Sequence, residues 1–356
     1  MIPPTSDLVS AFVGGLVIAL ATTINLSLAG RVTGISGILS SVYKFDAGSG
    51  LEWKMSFIAG LLVPASLASL IFGDGVNLGA FQLQWFDSEA WMNNRLHETM
   101  WVLSGALVGF GTRMGCGCTS GHGVCGLPRF SLRSLVAVGC FMASGMVVSS
   151  SLHYLGFFNA MTGHSWGATT EQWWQWAGPL VTLWLVVQAA IVASLTSGWI
   201  DYAIGGLTGF LFGCGLLLSG MCRVSKVSGF LTLDWAVWDP SLALVMGGAV
   251  GFNLCTFPTI LQREKPVVQE SFSCPSRTDI DWELVLGSCI FGVGWGLGGM
   301  CPGPGLMSTV VKTHSIIWAA GLIGGMALYD FVCKPAIEDA KVSKISETEL
   351  LVNHCH

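Results

Sequence analysis

Apolar residues in this chain gather in long blocks, with the polar positions confined between them. Blocks close to the roughly 20 residues that a membrane-spanning helix needs recur at about 8–27, 55–73, 98–113, 134–157, 176–197, 202–220, 241–260, 282–300 and 315–333. The pattern predicts an all-α integral membrane protein with about nine transmembrane helices. Asp7 precedes the first block, no basic region leads into it and no small-residue cleavage pattern follows, so it reads as a retained helix rather than a signal peptide. Four shorter apolar stretches, about 34–43, 119–127, 225–233 and 302–311, cannot span. They predict re-entrant half-helices, because irregular backbone at membrane depth is tolerated only when buried in protein or lining a polar cavity.

Composition agrees with the pattern. The 356 residues are 52% hydrophobic and 10% charged, with a mean hydropathy of +0.65, whereas soluble domains carry about 25% charge. The formal net charge of −5, with no basic tract, argues against a nucleic-acid partner. The positive-inside rule orients the chain: with the N-terminus outside and the C-terminus in the cytoplasm, only Arg95, Arg223, Lys226 and Lys312 of the 16 Lys and Arg fall outside. A bacterial inner-membrane type of location is expected, with the lipid bilayer as the surrounding partner.

Two signatures recur in the same order. RVTGISGIL at 31–39 matches RVSKVSGFL at 223–231, aligning Arg31 with Arg223, and GFGTRMGCGC at 109–118 lies over GVGWGLGGMC at 292–301, superposing Cys118 on Cys301. This predicts two homologous halves, 1–157 and 201–333, joined by a connecting loop and transmembrane helix at 158–200 and followed by a cytoplasmic polar tail at 334–356. The span count puts the matched signatures on opposite sides of the membrane, so the repeat is inverted. In such transporters the substrate site lies near the midplane, where broken helices of the two halves meet.

The chemistry concentrates in GCGCTSGHGVCG at 115–126 and CPGPGL at 301–306. Each places a cysteine before small turn-forming residues and a half-helix, whose free N–H groups favour an anion. Thr119, Ser120, Gly121, His122 and Gly303 are the expected anion contacts, Cys118 and Cys301 the thiols brought to a common axis, and Cys116, Cys125 and Cys222 the further cysteines expected along the pathway. A thiol is a weak S–H donor with polarizable sulfur, suited to a soft anion that must also be released. Arg31 and Arg223 are expected to raise the anion concentration in vestibules at the two ends. The glycines of both signatures give faces for close helix packing. Cys116, Cys118, Cys125 and His122 do not match the spacing of paired zinc-binding elements, so neither metal nor cofactor is expected. Cys140, Cys214, Cys255, Cys289 and Cys333 read as small buried hydrophobes, and Asn25 and Asn253 as helix–helix hydrogen-bonding residues.

At GRVTGISGIL, GCTSGHGVCGL and GLGGMCPGPGL the sequence resembles the YeeE/YedE membrane proteins, the sulfur-transport-domain family, over about residues 10–333. It looks like two half-length members fused. The resemblance implies an hourglass-like inverted repeat that takes up thiosulfate, passed between thiols by hydrogen bonds without being broken. Its two central cysteines map to Cys118 and Cys301. A third relay cysteine, early in the chain of thiosulfate-transporting members, is missing here, since none precedes Cys116; Cys222, paired with Gly30 by the repeat, is the nearest replacement. The expected function is a permease for a small inorganic sulfur anion, with thiosulfate first and sulfide, persulfide and selenium analogues open. The competing reading is a membrane sulfurtransferase in which Cys118 or Cys125 carries a persulfide and His122 is the base. A third is a subunit that hands sulfur to a soluble cytoplasmic protein through the tail.

Overall fold

The structure, a computed structural model, describes residues 5–45, 50–73, 75–78, 81–88, 91–92, 95–157 and 199–337, with isolated positions between 179 and 194. The expected span at 176–197 and the tail beyond residue 337, including His354, Cys355 and His356, therefore lie wholly or mostly outside the described residues. The elements that build the fold come in two sets of six. The first is α1 (Thr5–Ala29), α2 (Ile35–Tyr43), α3 (Leu51–Phe72), α4 (Glu98–Met114), α5 (Thr119–Gly126, a π-helical turn) and α6 (Leu132–Tyr154). The second is α7 (Trp199–Leu218), α8 (Val224–Leu231), α9 (Ser241–Leu261), α10 (Trp282–Gly298), α11 (Pro302–Ser308) and α12 (Thr313–Leu328). Each set reads long, short, long, long, short, long. The four short members fall on the four stretches too short to span.

Among the described residues, seven helices are long and apolar enough to cross a membrane. The count of nine is not reproduced: α4 has only 17 residues, and the span at 176–197 is mostly undescribed. The apolar pattern also gave no strand, yet β1 (Gly75–Leu78) and β2 (Phe81–Gln84) pair as an antiparallel hairpin between α3 and α4, with Gly75 opposite Gln84. Strands of four residues leave too short an alternation to read. Apart from this hairpin, the described residues make an all-α, multi-pass membrane protein.

Local sequence explains the breaks. Gly30 and Gly220, with φ of +65° and +68°, sit just past α1 and α7, the left-handed position that ends a helix most cheaply with glycine. Asp281 and Ser131 cap α10 and α6 by accepting from the backbone N–H groups of Leu284 and Ser134, at 2.9 and 3.2 Å.

Glycine decides how the long helices meet. A Cβ on Gly105 or Gly109 of α4 would lie 2.0 Å from the carbonyl oxygens of Trp318 and Leu322 on α12, and one on Gly321 or Gly325 would lie 2.2 or 2.0 Å from those of Val102 and Ala106. The close approaches advance together along both chains, so α4 and α12 are parallel and touch through reciprocal small-xxx-small faces. The repeat reproduces this pair as α10 on α6, where Gly296 approaches the Gly145 carbonyl. Likewise α3 packs on α7 as α9 packs on α1. The equivalent helices α1 and α7 cross antiparallel, as do α4 and α10, where Gly111 meets Gly287 and Gly298 meets Ser104. Antiparallel packing between equivalent helices is the expected consequence of an inverted repeat.

Candidate functional site

The half-helices converge on a cavity of about 360 Å3 between the two sets. Ile18, Phe141, Phe212, Phe230 and Trp295 make much of its apolar wall, with thioethers from Met142, Met221 and Met246. Cys118, Thr119 and Ser120 enter from α5 and its preceding turn, and Cys301 and Gly303 enter from the equivalent turn at α11. Cys118 and Cys301 are buried, 1% and 3% exposed, and both are free thiols. Cys118 Sγ lies 3.2 Å from Ser120 Oγ, and Cys301 has the Thr119 hydroxyl and the Cys118 thiol as neighbours. The structure thus brings together the two cysteines that the repeat had paired.

The starts of α2 and α5 form a partition between this cavity, lined by Ile35 and Ser120, and a second one lined by Gly34 and Gly121. The backbone N–H of Ile35 donates to Ser120 Oγ at 3.1 Å, and a Cβ on Gly34 would sit 3.8 Å from the Gly121 Cα. The first residues of α2 therefore meet α5 backbone to backbone. Asn253 Nδ2 donates to the Val124 carbonyl at 2.9 Å and Cys125 Sγ to that of Thr33 at 3.6 Å, fixing α5 against α9 and the α1–α2 link. Asn25 Nδ2 in turn donates to Thr33 Oγ1 at 2.9 Å.

Beyond the partition lies a second, basic chamber. Gly121, His122 and Cys116 line it. His122 is hydrogen-bonded at both ring nitrogens, Nδ1 to Ser134 Oγ and Nε2 to the Gly115 carbonyl, each at 3.1 Å. The carbonyl requires a proton on Nε2; in the neutral ring Nδ1 then accepts from the Ser134 hydroxyl. Cys116 is exposed and holds a φ of +59°. At the chamber mouth the Arg277 guanidinium holds the exposed Asp279 carboxyl down at about 2 by hydrogen bonding.

The remaining expected site residues lie elsewhere. Cys222 is buried with Cys301 as a neighbour, but is not among the residues lining the cavity. Arg31 and Arg223 do not line it either. Arg31 pairs with Asp201 at 3.0 Å and lies 4.9 Å over the Trp53 ring, while Arg223 pairs with Asp7 at 3.5 Å. Each arginine thus reaches the start of the first helix of the other half, so that α1 and α7 are both tied at their first turns. Lys226 reinforces the Arg223 tie at 3.3 Å from Asp7, and Asp87 accepts from the Ser225 N–H of α8 at 2.8 Å. Cys116, Cys118, Cys125 and His122 face different surroundings, and no group of three His, Cys, Asp or Glu among the described residues could hold a metal.

Further features escaped the sequence. The cavity wall did, because Phe141 or Trp295 in an apolar block looks the same whether it faces lipid or a cavity. So did Asp330, whose side chain accepts from Arg113 Nε at 2.9 Å, Lys44 Nζ at 2.6 Å and the Tyr43 hydroxyl, joining the end of α2 to α4 and α12. A lone Asp at the end of an apolar block was its only signal.

Comparison with known proteins divides the chain in the same way. Residues 4–148 match the profile of a family described as "Sulphur transport", and residues 201–340 that of a "Family of unknown function (DUF6691)". A "Probable transporter" of Xylella fastidiosa (strain Temecula1 / ATCC 700964) is 39% identical over 133 residues, 36% of this chain and 88% of that protein. A second "Probable transporter" of the same strain is 37% identical over 139 residues, 38% of this chain and 89% of its own length. Relatives that are nearly spanned by little more than a third of this chain are what a fusion of two half-length proteins would match.

Proposed function

Because the chain belongs to the YeeE/YedE sulphur-transport family of membrane transporters, we propose that it is a permease for a small sulfur-containing anion, thiosulfate, in a bacterial inner membrane. One observation carries the reading: Cys118 and Cys301, from equivalent turns of the two halves, line one buried cavity. The polar groups offered there are thiols and the hydroxyls of Thr119 and Ser120, with no cation among the described lining residues. Such donors can accept a soft anion and let it go, whereas a fixed guanidinium would trap it. The anion would enter from the outer side, exchange hydrogen bonds between the Cys301 and Cys118 thiols, then displace the Ile35–Ser120 hydrogen bond to pass Gly34 and Gly121. Cys222 would serve the outer approach to Cys301. The two halves are taken as 1–157 and 201–333, with the N-terminus outside and the C-terminus in the cytoplasm.

On this reading the protein forms no covalent sulfur intermediate. A persulfide carried on Cys118 or Cys125 would need a nearby base, and both ring nitrogens of His122 are engaged by Ser134 and Gly115. The test is uptake of radiolabelled thiosulfate by proteoliposomes, followed by intact-mass measurement of the recovered protein. Uptake with an unchanged mass supports a permease. Absence of uptake, or a mass gain of one sulfur atom on either cysteine, would contradict it.

A further inference from the structure

The chamber beyond the partition has about 600 Å3 of space, and its wall chemistry is the reverse of the thiol cavity's. Lys54, Arg113, Arg129, Arg133 and Arg277 line it, and among the described residues no carboxylate does. Asp330 partly neutralises Arg113, while Asp279 and Asp281 hold Arg277 and approach Arg133. Arg129 makes no ion pair among the described residues; its Nη2 donates to the Pro275 carbonyl at 2.7 Å.

Arg133 makes the sharper case. Its side chain is 6% exposed. Nη1 donates to the backbone carbonyl of Asp279 and lies 3.5 Å from an Asp281 carboxylate oxygen. Nη2, equally buried, has no hydrogen-bond partner among the described residues. Leaving a buried donor unpaired is costly, more so for a charged group, and the Arg129 guanidinium, which makes no ion pair among the described residues, lines the same chamber. An acceptor with negative charge satisfies both.

We propose that this chamber is a binding site for a doubly charged tetrahedral oxyanion of sulfur, held by Arg133 Nη2 and Arg129 and separate from the thiol cavity. Guanidinium forks match tetrahedral oxyanions in geometry as well as charge, and a pocket of one sign within low-dielectric walls concentrates such ions. The inference rests on the transport reading only for the identity of the anion. It assigns the division of labour: soft, weak donors where the anion passes quickly, and fixed cations where it is gathered and held on the far side of Gly34 and Gly121.

Cys116 offers a native reporter, since it is exposed and lines this chamber. Its alkylation by iodoacetamide, read by peptide mapping of the purified protein in detergent, is measured against an added thiol peptide at constant ionic strength. Thiosulfate and sulfate are expected to slow alkylation of Cys116 several-fold, and chloride to leave it unchanged. Arg129→Gln and Arg133→Gln should each raise the half-protecting concentration about tenfold, the equivalent of about 1.4 kcal/mol, and Cys118→Ala should not. Arg129→Gln alone decides the matter if Arg133→Gln fails to fold. No protection, protection insensitive to Arg129→Gln, protection lost in Cys118→Ala, or equal protection by phosphate would overturn the assignment. Uptake is measured in parallel. Uptake without protection sinks the chamber and leaves the permease, and protection without uptake does the reverse.

Discussion

Helix α12 carries two adjacent glycines in opposite surroundings, and they test how the bundle is held. A Cβ on Gly325 would lie 2.0 Å from the Ala106 carbonyl oxygen, whereas one on Gly324 would meet nothing within 4 Å. Ordinary van der Waals separation begins near 3.4 Å, so Gly325→Ala demands that α12 and α4 move apart locally by about 1.4 Å. The obstacle is backbone, which cannot rotate away as a side chain can. Gly105, Gly109 and Gly321 hold the same interface equally close, so the shift spreads along both helices. Overpacking a tight interior costs about 1–3 kcal/mol, and the weaker dispersion attraction between helices held apart pushes this toward the upper end. Gly324→Ala meets no such obstacle, and replacing glycine inside a helix gains up to about 1 kcal/mol. The two variants should therefore differ by about 3 kcal/mol in reversible unfolding by SDS in mixed micelles, followed by circular dichroism. Midpoints that agree within about 0.5 kcal/mol would refute the close-packed interface.

Other consequences follow from the same geometry. Asp330→Asn removes the charge shared by Arg113 and Lys44, themselves 21% and 29% exposed, and should cost about 2–3 kcal/mol in the same titration; a loss under about 0.5 kcal/mol would show the cluster to be incidental. The tie at the start of α7 predicts a coupling of about 1–2 kcal/mol between Arg31→Ala and Asp201→Ala in a double-mutant cycle, with strict additivity as the contrary result. Gly34 has φ −112° and ψ 103°, open to any residue, so Gly34→Val should fold normally yet cut uptake tenfold or more by filling the approach to Gly121. Wild-type uptake in that variant would place the path elsewhere.

Much of the fold was legible because bilayer physics is written in length. Apolar blocks of spanning length became α1, α3, α6, α7, α9, α10 and α12, and blocks too short to span became the four half-helices. The repeat was legible through Arg31 with Arg223 and Cys118 with Cys301, since an inverted repeat keeps its turns where its helices break. What Arg31 does was not legible. Its partner Asp201 is 170 positions away, and a charge at a helix end looks the same whether it faces a vestibule or an ion pair. The basic chamber was hidden for a related reason. Lys54, Arg113, Arg129, Arg133 and Arg277 each read as a topology determinant on the inner side, and only folding gathers them around one space. The sequence likewise could not distinguish Cys125, spent on the Thr33 carbonyl, from Cys118, which faces the cavity.

The most direct test of the account is the rate of thiosulfate uptake into proteoliposomes by Cys118→Ala and Cys301→Ala, each compared with the wild type at equal amounts of inserted protein. The account predicts active wild type and loss of uptake in both variants, because each thiol lines the cavity between the halves. Wild-type rates in either variant, with correct insertion verified, would contradict it.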